Sequence, residues 1–109
     1  MDLNLIVLCG RLATDPEVRV FDSGTRLVRY LVTLRVDHPR KRVDVIPVTL
    51  WDPEEEIVEE PGEKGDRIWV CGAVQRRYRE SPEGRRSRVE VVAEQVTLKV
   101  DDLEPVTAE

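Results

Sequence analysis

Between residues 75 and 91 the sequence reads QRRYRESPEGRRSRVEV, six arginines about a single tyrosine. Arginine presents a planar fork of donors that matches phosphate oxygens, and it also lies flat on aromatic rings. Arg76, Arg77, Arg79, Arg85, Arg86 and Arg88, with Tyr78 among them, therefore have the chemistry of a polyanion clamp that offers a π-face as well. The plain alternative is a solvated hairpin tip, because Glu80, Glu83 and Glu90 would neutralise part of such a patch. A second basic run at Arg40, Lys41 and Arg42 weighs toward the clamp.

Catalytic chemistry finds no comparable support. His38 is the sole histidine and stands beside Pro39. No Ser-His-Asp or Cys-His pairing can be assembled, and no glycine-rich phosphate loop follows a strand. Glu54, Glu55 and Glu56 are consecutive, which spreads them around a helix instead of converging them on one site. Cys9 and Cys71, the only cysteines, lack His or Cys neighbours at ligand spacing, so a metal site is not expected. They read as two buried reduced thiols, and a disulfide would require their strands to adjoin. The expectation is a non-enzymatic protein with no cofactor.

The chain has 109 residues, which allows one domain and one modest core. Its formal net charge of −5 conceals a division. Residues 52–66 carry 8 acidic and 1 basic side chains, whereas residues 67–92 carry 7 basic and 3 acidic ones. With a Debye length of about 8 Å at physiological salt, a partner responds to the local patch and not to the total. No apolar run approaches the roughly 20 residues that span a bilayer. The opening MDLNLIVLCGRL lacks a basic leader region and continues as a strand pattern, so it reads as structure and the protein as cytoplasmic.

Val, Ile, Leu and Thr dominate and turn signals recur at short intervals, which predicts an all-β domain over 1–100. The first strand, 3–13, is apolar on both parities, so both faces should be covered. After Asp15-Pro16 the chain resumes in extended form over 17–21 and turns at 22–25. In 26–36, Val28, Tyr30, Val32, Leu34 and Val36 share a core face. In 43–51, Ile46, Val48 and Leu50 face inward, and Pro47, which cannot donate to a ladder, places that stretch at an edge or bulge. DPEEEIVEEPG predicts a short acidic helix with Asp52 as N-cap and Pro53 at its first position. A strand over 67–79 with Ile68, Val70 and Val74 inward leads through the turn 80–84 to a last strand near 85–100. There the apolar parity switches from odd (Val89, Val91) to even (Val96, Leu98, Val100), which predicts a bulge near residues 93–95. Parity puts Trp51 and Trp69 opposite the apolar set. Trp51 is expected to stack on a base and Trp69 to make a structural contact.

This order, three strands, a short acidic helix between strands 3 and 4, then a hairpin, is that of the OB-fold, a five-stranded Greek-key barrel. The residues also resemble the bacterial single-stranded DNA-binding protein family. Gly10-Arg11-Leu12, Asp15-Pro16-Glu17-Val18-Arg19 and Gly24-Thr25 follow its opening pattern, and GDRIWVCGAVQRR is similar to its fourth-strand segment. The resemblance implies a homo-oligomer, tetramer favoured over dimer, that binds single-stranded DNA in replication, recombination or repair. It assigns stacking to Trp51 and phosphate contacts to Arg29, Arg35 and Arg77. It also implies that the first strand supplies a subunit contact, and that the protein resides in the cytoplasm with the nucleoid.

Departures from the pattern are specific. VDVIPV carries aliphatics where the family has a Trp, the loop DHPRKR is short, and the fourth-strand aromatic sits one place early at Tyr78. The tail 101–109, DDLEPVTAE, is acidic but ends without an aromatic and without the family's linker. These losses predict a short paralogue whose binding leans on arginine. Two rivals remain open at this point: an adaptor whose acidic helix, Glu54 to Glu60, docks a basic partner, and an RNA binder.

Overall fold

The computed structural model describes residues 1–98. Its elements are β1 (Ile6–Leu12), β2 (Glu17–Val20), β3 (Arg26–Val36), β4 (Arg42–Trp51), α1 (Glu55–Glu59), β5 (Arg67–Ser81) and β6 (Gly84–Leu98). They form one sheet in the order β1-β5-β6-β4-β3-β2, and β1 also pairs with β3, which closes a barrel. This is the OB-fold architecture.

Six strands replace the expected five for a local reason. Pro16 has no N–H, so the first excursion along β3 breaks into two pieces. β1 pairs Arg11 with Thr33 and Leu12 with Val32, while β2 pairs Glu17–Val20 with Arg29–Arg26 farther along the same strand. The helix consequently lies between β4 and β5.

Period-2 alternation decides what the barrel buries. Val28, Tyr30 and Val32 from β3 meet Val48 and Leu50 from β4, Ile68 and Val70 from β5, and Val91 and Ala93 from β6, with Leu12 closing one end. Tyr30 is 1 % exposed and its hydroxyl has no hydrogen-bond partner; burial pushes its pKa up to about 12. Gly10 and Gly72 mark places where walls approach too closely for any side chain. A Cβ at Gly10 would overlap the Thr33 carbonyl oxygen, and one at Gly72 the Val92 carbonyl oxygen.

The parity switch in β6 is a bulge. Cys71 pairs with Gln95 and Gly72 with Ala93, leaving Glu94 as the extra residue. Pro47 pairs with Leu31 of β3, while the β4–β6 pairing covers only Val48–Leu50, so the proline sits where one side of β4 is open.

Four expectations need correction. Asp52 is not the N-cap: it takes a left-handed φ of 50°, and the chain enters α1 through Glu54 without a side-chain cap. Val74 is 38 % exposed, because β5 and β6 continue past the barrel rim as a free ribbon. Cys9 and Cys71 are free thiols but only partly buried. Their strands do adjoin, Val7 opposite Cys71 and Cys9 opposite Trp69, so the two lie diagonally. β1 is covered on one face alone, with Val7 60 % exposed.

Among the described residues no helix is long and apolar enough to cross a membrane, and no three His, Cys, Asp or Glu could hold a metal ion. The acidic tail expected over 101–109, and the end of the last strand at 99–100, lie outside the described residues.

Candidate nucleic-acid interface

The β5–β6 ribbon pairs Arg77 with Arg88 and Arg79 with Arg86 on one face. Side chains in directly opposed pairs share a face, so four guanidinium groups are placed together by register alone. On the same face, diagonal to Arg77, stands Glu90, which is 5 % exposed. Its carboxylate contacts Arg77 Nε at 2.6 Å and accepts a hydrogen bond from Thr49 Oγ1 at 3.2 Å. Thr49 in turn lies opposite Arg29 in the β3–β4 ladder. A polar row thus crosses four strands on the outer wall: Arg29, Thr49, Glu90, Arg77.

At one end of this row is Trp51. The Arg77 guanidinium carbon is 5.5 Å from the centroid of its ring. Phe21 stacks against that ring at 6.0 Å with an interplanar angle of 18°. Phe21 thus lies along the indole and Arg77 stands over it, so the ring is held from more than one direction. Trp51 itself is partly exposed, held by the last pair of the β3–β4 ladder, opposite Leu27.

Arg29, Arg77, Tyr78, Arg79, Arg86, Ser87, Arg88 and Glu90 line a groove of about 490 Å³. A smaller depression of about 200 Å³ shares Arg29, Arg88 and Glu90 and extends toward Leu31 and Pro47. Of the side chains singled out in the sequence, the structure therefore gathers Arg29, Arg77, Tyr78, Arg79, Arg86 and Arg88 at one site, with Trp51 adjoining through Arg77.

The others are placed differently. Arg35 lines a separate depression of about 630 Å³ with Arg11, Lys64 and Arg67 around Gly10. Arg76 falls on the opposite face of the ribbon and donates to Ser87 Oγ at 2.9 Å. Arg85 lies over the Tyr78 ring, its guanidinium carbon 4.3 Å from the centroid. Arg42 pairs with Asp44 at 3.0 Å, while Arg40 and Lys41 are exposed in the loop before β4. Arg86 meets Glu83 at 3.2 Å, but both side chains are largely exposed and such a pair holds its cation weakly. Trp69 is 39 % exposed on the outer face of β1 and β5.

Phe21 and Thr49 were not legible as site residues. Phe21 reaches Trp51 because the turn that follows it, closed by its backbone N–H donating to the Thr25 carbonyl, folds β2 back along β3. No periodicity announces that. Glu90 was legible as a charge opposing the patch, but not as a buried one.

Comparison with known proteins bears on the fold and the family. The model of the single-strand binding protein family matches residues 3–99. Over 100 residues the chain is 36 % identical to "Single-stranded DNA-binding protein 3" of Clostridium acetobutylicum, covering 86 % of this chain and 69 % of that one. A "Single-stranded DNA-binding protein" of Halalkalibacterium halodurans is 37 % identical over 101 residues, covering 86 % of this chain and 59 % of the relative. Among solved structures, "Plasmodium falciparum SSB complex with ssDNA" superposes with a TM-score of 0.72 at 17 % identity, covering 91 % of this chain and 95 % of that one, a likeness of fold. By sequence and by fold, this chain belongs to the single-strand binding protein family.

Proposed function

We propose that this protein binds single-stranded DNA without strong sequence preference and performs no catalysis. The observation that carries the reading is the row Arg29, Thr49, Glu90, Arg77 ending on the Trp51–Phe21 plate. Cations beside an aromatic face suit a backbone of phosphates with unstacked bases, because every base has a π-face while a paired duplex offers none at its side. Arg29, Arg79, Arg86 and Arg88 would neutralise phosphates, and Trp51 would receive a base. Arg35, Arg40, Lys41, Arg42, Arg76 and Arg85 would add to the positive field that draws the strand in.

The family supports two finer statements. A role in replication, recombination or repair is one, with residence in the cytoplasm beside the nucleoid. Assembly with further copies of the chain is the other. Val7 and Trp69 lie exposed on the outer face of β1 and β5, and a second copy would cover them, as a dimer or as a tetramer. The adaptor reading is not favoured: α1 has five residues, buries none of them, and Glu55 is engaged by Arg26 at 3.0 Å.

The test is a mobility shift with labelled single- and double-stranded DNA of equal length, followed by competition between oligo-dT and oligo-U. Preference for the single strand supports the reading, and preference for the duplex sinks it. Sedimentation equilibrium, run in parallel, reads the assembly.

A further inference from the structure

An acid in the middle of an arginine groove works against binding a polyanion, so Glu90 calls for an account. Its side chain is 5 % exposed, and β6 holds its backbone against Gln75 of β5. Oε2 accepts from Thr49 Oγ1 at 3.2 Å, and Oε1 faces Arg77 Nε at 2.6 Å. The second contact is an ion pair and not an aligned hydrogen bond, so among the described residues Oε1 has only the charge of Arg77 to satisfy it. Arg77 is 42 % exposed, and the same guanidinium stands over Trp51. The buried partner is fixed and the exposed partner is the one a ligand meets. A phosphate arriving at Arg77 must therefore compete with a carboxylate that cannot withdraw.

We propose that Glu90 is a positioning residue for single-stranded DNA: it holds Arg77 against Trp51 and withholds part of its charge from the phosphate backbone. Arg77 then acts mainly as a cation held over the Trp51 ring, and the remaining arginines of the groove carry the phosphates. This deepens the single-stranded DNA reading and rests on it. The arrangement caps the electrostatic share of the affinity.

The experiment replaces the charge and keeps the shape. Glu90→Gln retains an oxygen that accepts from Thr49 and releases Arg77. Wild type and E90Q are titrated with oligo-dT, read by tryptophan fluorescence, over a series of salt concentrations. The expected result is several-fold tighter binding at low salt, with a plot of log affinity against log salt steeper by about 0.7, the effect of one more neutralised phosphate on a single strand. A support for the barrel wall alone would alter thermal stability and leave that slope where it was. An unchanged slope, or weaker binding by E90Q, overturns the inference while leaving the single-stranded DNA reading intact. Failure of the wild type to bind oligo-dT overturns the reading itself, and this inference with it. Should E90Q not fold, the Arg77 side-chain nitrogen resonances of the wild type decide the matter during the same titration. Nε holding its shift while Nη moves supports the restraint, and Nε moving with Nη ends it.

Discussion

Arg85 lies over the ring of Tyr78 with its guanidinium carbon 4.3 Å from the centroid, so one face of that ring is already occupied by the protein's own cation. Tyr78 pairs with Ser87, on the opposite face of the ribbon from Arg77 and Arg79. A base that uses Tyr78 has to take its uncovered side or displace Arg85. Tyr78→Ala is expected to weaken single-stranded DNA binding by no more than about 1 kcal/mol, the low end of what one stacking aromatic contributes. Titration with oligo-dT checks this, and a loss as large as that of a Trp51 variant would place the principal stack on the ribbon.

Trp51 is expected to carry the larger share. Its ring is held by Phe21 stacked against it and by Arg77 standing over it, so an arriving base shares a ring that is already ordered and little ordering entropy is lost. Trp51→Ala should weaken binding by about 1–3 kcal/mol, or roughly 5- to 150-fold in affinity. The two tryptophans can be told apart spectroscopically. Trp51→Phe should abolish quenching by oligo-dT, whereas Trp69→Phe, altering a residue on the outer face of β1 and β5, should preserve it. Quenching that follows Trp69 instead would move the strand to the other side of the barrel.

Tyr30 gives a prediction in pH. Its folded pKa of about 12 exceeds the ordinary 10.0, because burial disfavours the phenolate. Below pH 10 both folded and unfolded states hold the proton and stability is unaffected. As pH rises from 10 toward 12 the unfolded chain releases that proton first, so stability falls, by about 2–3 kcal/mol at the upper end. Urea denaturation at pH 7 and pH 11 reads the difference. Tyr30→Phe should remove this alkaline loss, and because the hydroxyl is buried without a partner it should also stabilise by about 1 kcal/mol at neutral pH.

The bulge at Glu94 lets β6 change face, and Gly72 is what allows β5 to follow. A Cβ there would meet the Val92 carbonyl oxygen, a backbone atom with nowhere to retreat. Gly72→Ala should destabilise by about 1–3 kcal/mol through overpacking. Gly24→Ala, in a turn with nothing within 4 Å of the added carbon but with φ of 89°, should cost less, about 1 kcal/mol. Thermal melts of the two variants rank them.

How much could be read ahead follows from the range of the signal. Period-2 alternation is local, so β3 came out at 26–36 and the bulge at 93–95 was visible in a parity switch. The turn signal put all six hairpin arginines on one ribbon, but only the β5–β6 register separates Arg77, Arg79, Arg86 and Arg88 on one face from Arg76 and Arg85 on the other. What the sequence withheld are contacts between elements far apart in the chain. Thr49 reaches Glu90 across a parallel β4–β6 pairing that only barrel closure creates, and Phe21 meets Trp51 only because β2 folds back. Asp52 misled for a different reason. Its type and place suit an N-cap, but its backbone N–H is committed to the Arg26 carbonyl at 2.9 Å, and this tie to β3 forces the left-handed turn.

The salt dependence of binding should count the arginines that face the groove unopposed. Arg29, Arg79 and Arg88 line it, and none has an ion-pair partner among the described residues. Each phosphate neutralised on a single strand releases counterions worth a slope of about −0.7 in log affinity against log salt. Arg79→Gln should therefore make the slope shallower by about 0.7 and weaken binding to all sequences alike. Arg42→Gln is the contrasting case: that guanidinium is met by Asp44 at 3.0 Å and does not line the groove, so its removal should change the slope by less than half as much. Oligo-dT titrations of both variants across a salt series make the comparison. Equal shifts for the two would mean that the strand responds to the summed charge of this face, not to the track between β3 and the ribbon.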